Sequence, residues 1–378
     1  MSKRYLFAPG PTPVPEEILL AMARPLIHHR TPEFEQLMAE VREGLCYVFQ
    51  TSGQVLVFCA SGSGAMEAAV TNILCAGDSA LVVQGGKFGE RWAEICRAYG
   101  VRVHLLEVPW GEPVEPELVA RALEAEPGIR AVLVQASETS TGVMHPVRAL
   151  GEIVRRYPDT LLVVDAISAL GAVELPVDRW GLDVVVAGSQ KGLMLPPGLG
   201  FASVSEKAWR AVGRATLPHY YFDFAEEAKA LRQNTARFTP AISLVVGLRD
   251  ALERLRAEGL DQIFARHARL AEATRQAVRA LGLELYARRS PSNALTAVAM
   301  PEGVDGNKVE QVLSGKYGIT VAGGQDRARG RIIRIAHLGY ADRFDVITAI
   351  AALEMTLNDL GCRVELGRGV RTAMELLQ

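Results

Sequence analysis

The sequence predicts an α/β protein built on a mostly parallel sheet, and three observations carry that expectation. Short apolar, β-branched runs alternate with amphipathic helical stretches from Val55 to Ala187. Glycine-rich turns and lone polar residues stand at the ends of those runs. After Ser203 the chain changes to long helices and then to a smaller α+β unit. Strands that alternate with helices in this way are joined by crossovers, so the sheet is parallel and covered on both faces.

In chain order, residues 1–17 are rich in proline and glycine, with Pro9-Gly10-Pro11-Thr12-Pro13-Val14-Pro15 at the centre, and read as an extended arm. Glu16 to Ala23 reads as a helix. Thr31 caps a second, reaching Phe49, with Pro32 at its first position. Val55 to Cys59 is a strand, Ser61-Gly62-Ser63-Gly64 a turn, and Ala65 to Ala76 a helix. Strands at Ala80–Gln84, Val101–Leu106, Ala131–Gln135 and Leu161–Val164 alternate with helices at Gly89–Tyr99, Glu115–Glu124 and Val147–Arg156. Val184 to Ala187 leads to Gly188-Ser189-Gln190-Lys191-Gly192, and Phe201–Ser203 follows. Leu217 to Thr239 is polar and aromatic, without a periodic element. Ile242–Glu258 and Leu260–Leu281 are long helices; Ala294–Met300 and Ile332–His337 are strands, with helices near Asn307–Tyr317 and Arg343–Gly361. These divide the chain into an arm (1–17), a large domain (18–257) and a small C-terminal domain (258–378).

The chain has 378 residues, 49% of them hydrophobic, which suffices for two domains. A formal charge of −2, with no basic cluster, points away from nucleic acid and membrane surfaces. The start, Met1 to Phe7, holds no apolar segment of signal-peptide length, and the apolar run Leu161–Leu175 is interrupted by Asp165. Five cysteines without CxxC or metal-ligand spacing are expected to be reduced thiols of a cytoplasmic protein. The abundance of arginine and proline suits either a thermophile or a GC-rich genome.

Chemistry is expected where three signals meet at strand ends, since ligands of open parallel sheets bind beyond the carboxyl ends of the strands. Lys191 is one of only seven lysines against thirty-four arginines. An amine can form a Schiff base, which a guanidinium cannot. Asp165 closes a buried strand, where a carboxylate needs a cation, or else caps the segment Ala166–Leu170. Ser61 to Gly64, between strand and helix, offers N–H groups to a phosphate, although glycines also serve tight turns. It lacks the ending of a Walker loop and the third glycine of GxGxxG. Phosphate cradle, carboxylate and amine together are what pyridoxal 5'-phosphate requires.

On these residues the chain resembles the class V aminotransferases of pyridoxal-phosphate fold type I, in the alanine–glyoxylate / serine–pyruvate branch. The likeness extends to the Pro-Gly-Pro arm, His29-Arg30-Thr31-Pro32-Glu33-Phe34, Glu138-Thr139-Ser140-Thr141-Gly142, Pro196-Pro197-Gly198, and Arg334-Ile335 with His337-Leu338-Gly339. It implies a seven-stranded, mostly parallel large-domain sheet and a homodimer whose active sites are shared between chains. Lys191 would carry the cofactor as an aldimine and shuttle the Cα proton, and Asp165 would pair with the pyridinium. Ser61, Gly62, Ser63 and Gln190 would contact phosphate and ring, and Phe88 would stack on the ring unless it is ordinary core. Thr139 or Ser140 would bond the ring oxygen. Arg334 would hold the substrate carboxylate; without the resemblance it reads as a surface ion pair. Gly10 in the arm, His29 and Tyr220–Phe222 are expected near the substrate, and Thr239 or Thr235 at the partner chain's phosphate.

The implied reaction is a ping-pong transfer of the amino group of a small L-amino acid, alanine or serine, to a 2-oxo acid, glyoxylate or pyruvate. Aspartate, phosphoserine and phosphonate aminotransferases share the fold and stay open, as does a non-catalytic subunit such as that of a soluble hydrogenase. A cysteine desulfurase is disfavoured because Gly318–Gly330 holds no cysteine. A nicotinamide dehydrogenase is disfavoured by the missing third glycine.

Overall fold

The computed structural model describes residues 3–378; Met1 and Ser2, the first residues of the arm, lie outside the described residues. A central sheet is formed by β1 (Gln54–Cys59), β2 (Ser79–Gln84), β3 (Arg102–Glu107), β4 (Ile129–Gln135), β5 (Leu161–Asp165), β6 (Val184–Gly188) and β7 (Leu199–Val204). The order across the sheet is β1-β7-β6-β5-β4-β2-β3, with β7 antiparallel to both of its neighbours and the other pairs parallel. Every residue of β5 and β6 is buried, as expected for central strands covered on both faces. The register places Gln135, Asp165 and Val186 side by side at the carboxyl edge.

The elements follow from local signals. Thr31 accepts a hydrogen bond from Phe34 N–H, Pro32 takes the first helical position, and the helix runs Pro32–Phe49. The first expected turn differs. The helix after β1 begins at Gly62, not Ala65, so Gly62, Ser63 and Gly64 form its first turn. First-turn N–H groups need no intrahelical partner, so glycine is tolerated there. Close packing requires it: a Cβ on Gly62 would stand 2.4 Å from the Ile167 side chain.

Other stretches hold helices not expected from periodicity, among them Val177–Trp180, Glu206–Val212 and the following two. Within Leu217–Thr239, Asp223 caps a helix at Phe224–Arg232 by accepting from Glu226 N–H, and Phe224, Ala228 and Leu231 form its buried stripe. The C-terminal residues Arg368–Leu377 form an amphipathic helix packed on Leu260–Ala280. The long helices Ile242–Glu258 and Leu260–Ala280 meet at Gly259, whose φ of +83° breaks them.

The C-terminal part carries an antiparallel sheet of Glu284–Leu285, β8 (Leu295–Ala299), β9 (Ile332–Ala336) and Ala322–Gly323, in that spatial order. The arm is stitched to it. Tyr5–Leu6 pairs in parallel with Ile319–Thr320, and Ala336 N–H donates to Phe7 carbonyl at 2.8 Å. One apolar core gathers around the large sheet, from Ile18 to Ile263. A second joins Phe7 to residues between Leu270 and Leu377. No described helix is long and apolar enough to cross a membrane.

Candidate active site

Lys191 lies near the start of the loop 189–198 between β6 and β7. Ser189 ties that loop closed, its hydroxyl donating to Pro196 carbonyl at 2.7 Å and accepting from Leu199 N–H at 3.2 Å. The arm crosses directly over the lysine. Thr12 N–H donates to Gln190 carbonyl at 3.2 Å, Thr12 Oγ1 donates to Lys191 carbonyl at 3.0 Å, and Lys191 Nζ donates to Pro9 carbonyl. Gly10 lies against the amine so closely that a Cβ would stand 2.3 Å from Nζ. Burial lowers the Lys191 pKa to about 8, Asp165 opposes the shift, and the positive charges of Arg334 and Arg91 add to it.

Asp165 ends β5 and is buried. Its Oδ1 accepts from Ile167 N–H at 2.8 Å, so the capping reading holds for that oxygen. No side-chain donor among the described residues bonds the carboxylate, leaving an oxygen for another partner. Burial raises its pKa to about 7; the Ile167 N–H opposes this, Glu138 adds to it, and Lys191 and Arg91 pull it back. Beside it, Thr139 and Ser168 share a hydroxyl–hydroxyl bond of 2.8 Å.

Arg334 on β9, in the C-terminal antiparallel sheet, reaches across to Thr139. It is buried and, among the described residues, makes no ion pair, which corrects the surface-pair reading. Its Nε and one terminal nitrogen donate to Gly323 carbonyl at 3.0 and 2.7 Å, and the other donates to Thr139 carbonyl at 3.1 Å. Its pKa is lowered, first by burial, with Glu138 and Glu310 opposing.

The cradle and the aromatic meet through Glu138. This buried carboxylate accepts from Phe88 and Gly89 N–H at 3.1 Å each and from Ser140 Oγ at 2.5 Å. It thereby anchors the N-terminus of the Lys87–Ala98 helix, which holds half-buried Phe88 in place. Burial raises the Glu138 pKa, opposed by those same bonds. Ser61 makes no side-chain cap, Gly62 is buried, and Ser63 Oγ accepts from Arg91 at 3.1 Å. The Gln190 Oε1 atom is buried without a partner among the described residues, and it and the Gly62 N–H, at the start of the Gly62–Ile73 helix, both border Gly188.

Some expected residues stand elsewhere. His29 lies against His28 in the loop before the second helix, with tilted rings 4.7 Å apart between centroids, and no hydrogen bond links it to the lysine loop. Tyr220 and Tyr221 are exposed, whereas Phe222 lies against Gly64 of the cradle. Thr239 is exposed, and the Thr235 hydroxyl is enclosed without a partner among the described residues. Sequence reasoning assigned no role to Glu138, Ser168 or Arg91. Glu138 lay inside a quoted motif, and its unusual burial was the missing signal.

A family model described as "Aminotransferase class-V" matches residues 4–344. The chain belongs to the class-V aminotransferases. Within that family it is 46% identical to the "Soluble hydrogenase, small subunit" of Synechococcus sp. (strain PCC 6716), covering 99% of this chain and 98% of that one. It is 39% identical to the L-aspartate–glyoxylate aminotransferase of Paracoccus denitrificans (99% and 96% covered). It is 38% identical to the serine–glyoxylate aminotransferase of Methylorubrum extorquens (100% and 96%). Among solved structures, the alanine–glyoxylate aminotransferase from Nostoc sp. superposes with a TM-score of 0.91 at 32% identity, covering 94% and 96%.

A class-V aminotransferase of this fold type I architecture works with pyridoxal 5'-phosphate, and the residues here fit it. The amine of Lys191 is buried and shifted toward its neutral form. Asp165 keeps an oxygen without a side-chain donor in a site where an isolated carboxylate is costly. The orphaned Gln190 oxygen and the uncapped first turn at Ser61–Ser63 are open polar groups at one helix end.

Proposed function

We propose that this aminotransferase moves the amino group of a small L-amino acid, alanine or serine, to glyoxylate or pyruvate, in two ping-pong half-reactions. The observation that carries the reading is the buried, unpaired Arg334 beside Thr139. Such a guanidinium suits one α-carboxylate in a planar fork. Lys87, the residue before Phe88, is committed to Glu90 at 3.0 Å and Asp326 at 2.9 Å. That leaves it poorly placed for a second substrate carboxylate and favours alanine or serine over aspartate and phosphoserine.

When bound, pyridoxal phosphate supplies an electron sink for the negative charge that develops at the substrate Cα. Lys191 would hold the cofactor until the substrate's amine displaces it, and the freed Nζ would then take the Cα proton and return it; a pKa near neutrality suits both directions. Asp165 would accept the N–H of the ring nitrogen and keep it protonated. Ser61, Gly62, Ser63 and Gln190 would hold the phosphate end, Phe88 would cover the ring, and Thr139 would donate to the ring oxygen. The Pro9–Gly10 segment closes over the amine and shields it from water.

The proposal includes a homodimer, in which Thr239 reaches the partner's phosphate. The exposure of Thr239, Leu19, Leu20, Leu26 and Tyr220 supports this. We take 18–257 and 258–378 as the two domains; separate cores around the two sheets support two units, with the first core reaching Ile263. Five free cysteines suit the cytoplasm. The test is the absorbance of the purified protein on addition of L-alanine, L-serine or L-aspartate, followed by glyoxylate or pyruvate. Bleaching by alanine or serine is expected; a response to aspartate alone refutes the substrate assignment.

The hydrogenase-subunit name of the 46%-identical relative favours a second reading, membership of a larger complex. The chain's retention of lysine, aspartate and arginine in one site argues for catalysis within it. Native gel filtration of the untagged protein from its own cells separates a dimer from a larger assembly.

A further inference from the structure

We propose that Arg91 supplies a positive charge to the cofactor phosphate, an inference that rests on reading the Gly62–Ile73 helix terminus as the phosphate cradle. Arg91 stands one turn beyond Phe88 on the Lys87–Ala98 helix. It donates to Ser63 Oγ at 3.1 Å, within the first turn of the cradle helix. Its guanidinium carbon lies 4.8 Å from the centroid of the Phe88 ring. The side chain therefore spans two elements of the site.

Its charge is not consumed by the protein. The nearby carboxylates have other partners: Glu67 accepts from Tyr99 Oη, Glu90 from Lys87 Nζ, and Glu138 from Phe88, Gly89 and Ser140. No described carboxylate lies within ion-pair distance of Arg91. The positive charge acts on both Lys191 and Asp165, which places it inside the field of the site. An unpaired, half-buried guanidinium is costly to maintain without an anion. A helix N-terminus offers roughly half a unit charge, which does not balance a phosphate carrying between one and two negative charges. Arg91, bonded to the cradle's own serine, is positioned to add to that balance and to form a charge-assisted hydrogen bond.

The test separates phosphate recognition from mere support of Phe88. Full-length protein, stripped of cofactor, is titrated with pyridoxal phosphate and, separately, with pyridoxal, which lacks the phosphate. Arg91→Gln is expected to weaken pyridoxal phosphate about ten-fold or more, the size of one charge-assisted hydrogen bond, while pyridoxal changes less than about two-fold. Arg91→Lys, which keeps the charge, should fall between wild type and Arg91→Gln, and serves as the readout if Arg91→Gln loses its circular dichroism. An equal loss for both ligands means that Arg91 acts through Phe88 and overturns the proposal, as does no loss for either. If wild type binds pyridoxal as tightly as pyridoxal phosphate, the cradle reading itself fails.

Discussion

Replacing Arg334 by alanine should remove substrate recognition with a size that follows from its donor count. A guanidinium has five N–H donors. Three are engaged, two by Gly323 carbonyl and one by Thr139 carbonyl, so two remain. Two charge-assisted bonds to a substrate carboxylate, at roughly 1.5–3 kcal/mol each, amount to about 3–6 kcal/mol, or roughly 10²–10⁴ in kcat/KM. The assay compares wild type, Arg334→Ala and Arg334→Lys with L-serine and with 2-aminoethanol, which is serine without its carboxylate. Arg334→Ala should lose that factor with serine and little with 2-aminoethanol. Lysine, lacking the fork, should recover only part. Equal losses with both amines, or an unchanged kcat/KM for serine, would refute the argument and leave Arg334 as a brace between Gly323 and Thr139.

Lys191→Met should abolish the half-reaction while the protein stays folded. The lysine's folded pKa of about 8 lies below its ordinary 10.5, so the cofactor-free protein bears a penalty of about 3 kcal/mol below pH 8 that lifts toward pH 10.5. The methionine variant should be the more stable at pH 7 in urea titrations, and an unchanged midpoint would show that the amine is not desolvated. For Asp165 the folded pKa of about 7 lies above the ordinary 3.8, so the folded state binds the extra proton between those values. Cofactor-free Asp165→Asn should match wild type near pH 4 and gain on it as pH rises to 7; a constant gap across that range counts against burial as the cause. Gly10→Ala adds a Cβ 2.3 Å from Nζ at a φ of +144° that L-residues rarely adopt. It should cut cofactor loading, read by absorbance, with little change in melting temperature; normal loading would mean that the arm yields.

Much of this molecule was legible locally because burial repeats at the period of each element. The run Leu161–Val164 reads as a buried strand, and Asp165 and Lys191 stand at strand ends for that reason. Thr31-Pro32 marks a helix start in two residues. Where local cues competed, the reading failed: the aromatic cluster Tyr220–Phe222 obscured the Asp223 cap and the Phe224, Ala228, Leu231 stripe. Two glycines read as a loop where they form a helical first turn, because only the approach of Ile167 to Gly62, and of Ala60 and Phe222 to Gly64, reveals why side chains are excluded.

The sequence by itself determined the element order, the parallel sheet and the placing of an amine and a carboxylate at its carboxyl edge. These depend on side-chain period and backbone preference within a few residues. Only the tertiary structure decided that Pro9 meets Lys191, 182 residues away, and that Arg334 reaches Thr139 across 195. It also decided that Glu138 is buried against the helix end that holds Phe88, and that Arg91 is left without a carboxylate. The physical reason is desolvation. The charge state and chemistry of these groups are set by which chains of atoms replace water around them, and that follows from long-range packing, which no local period records.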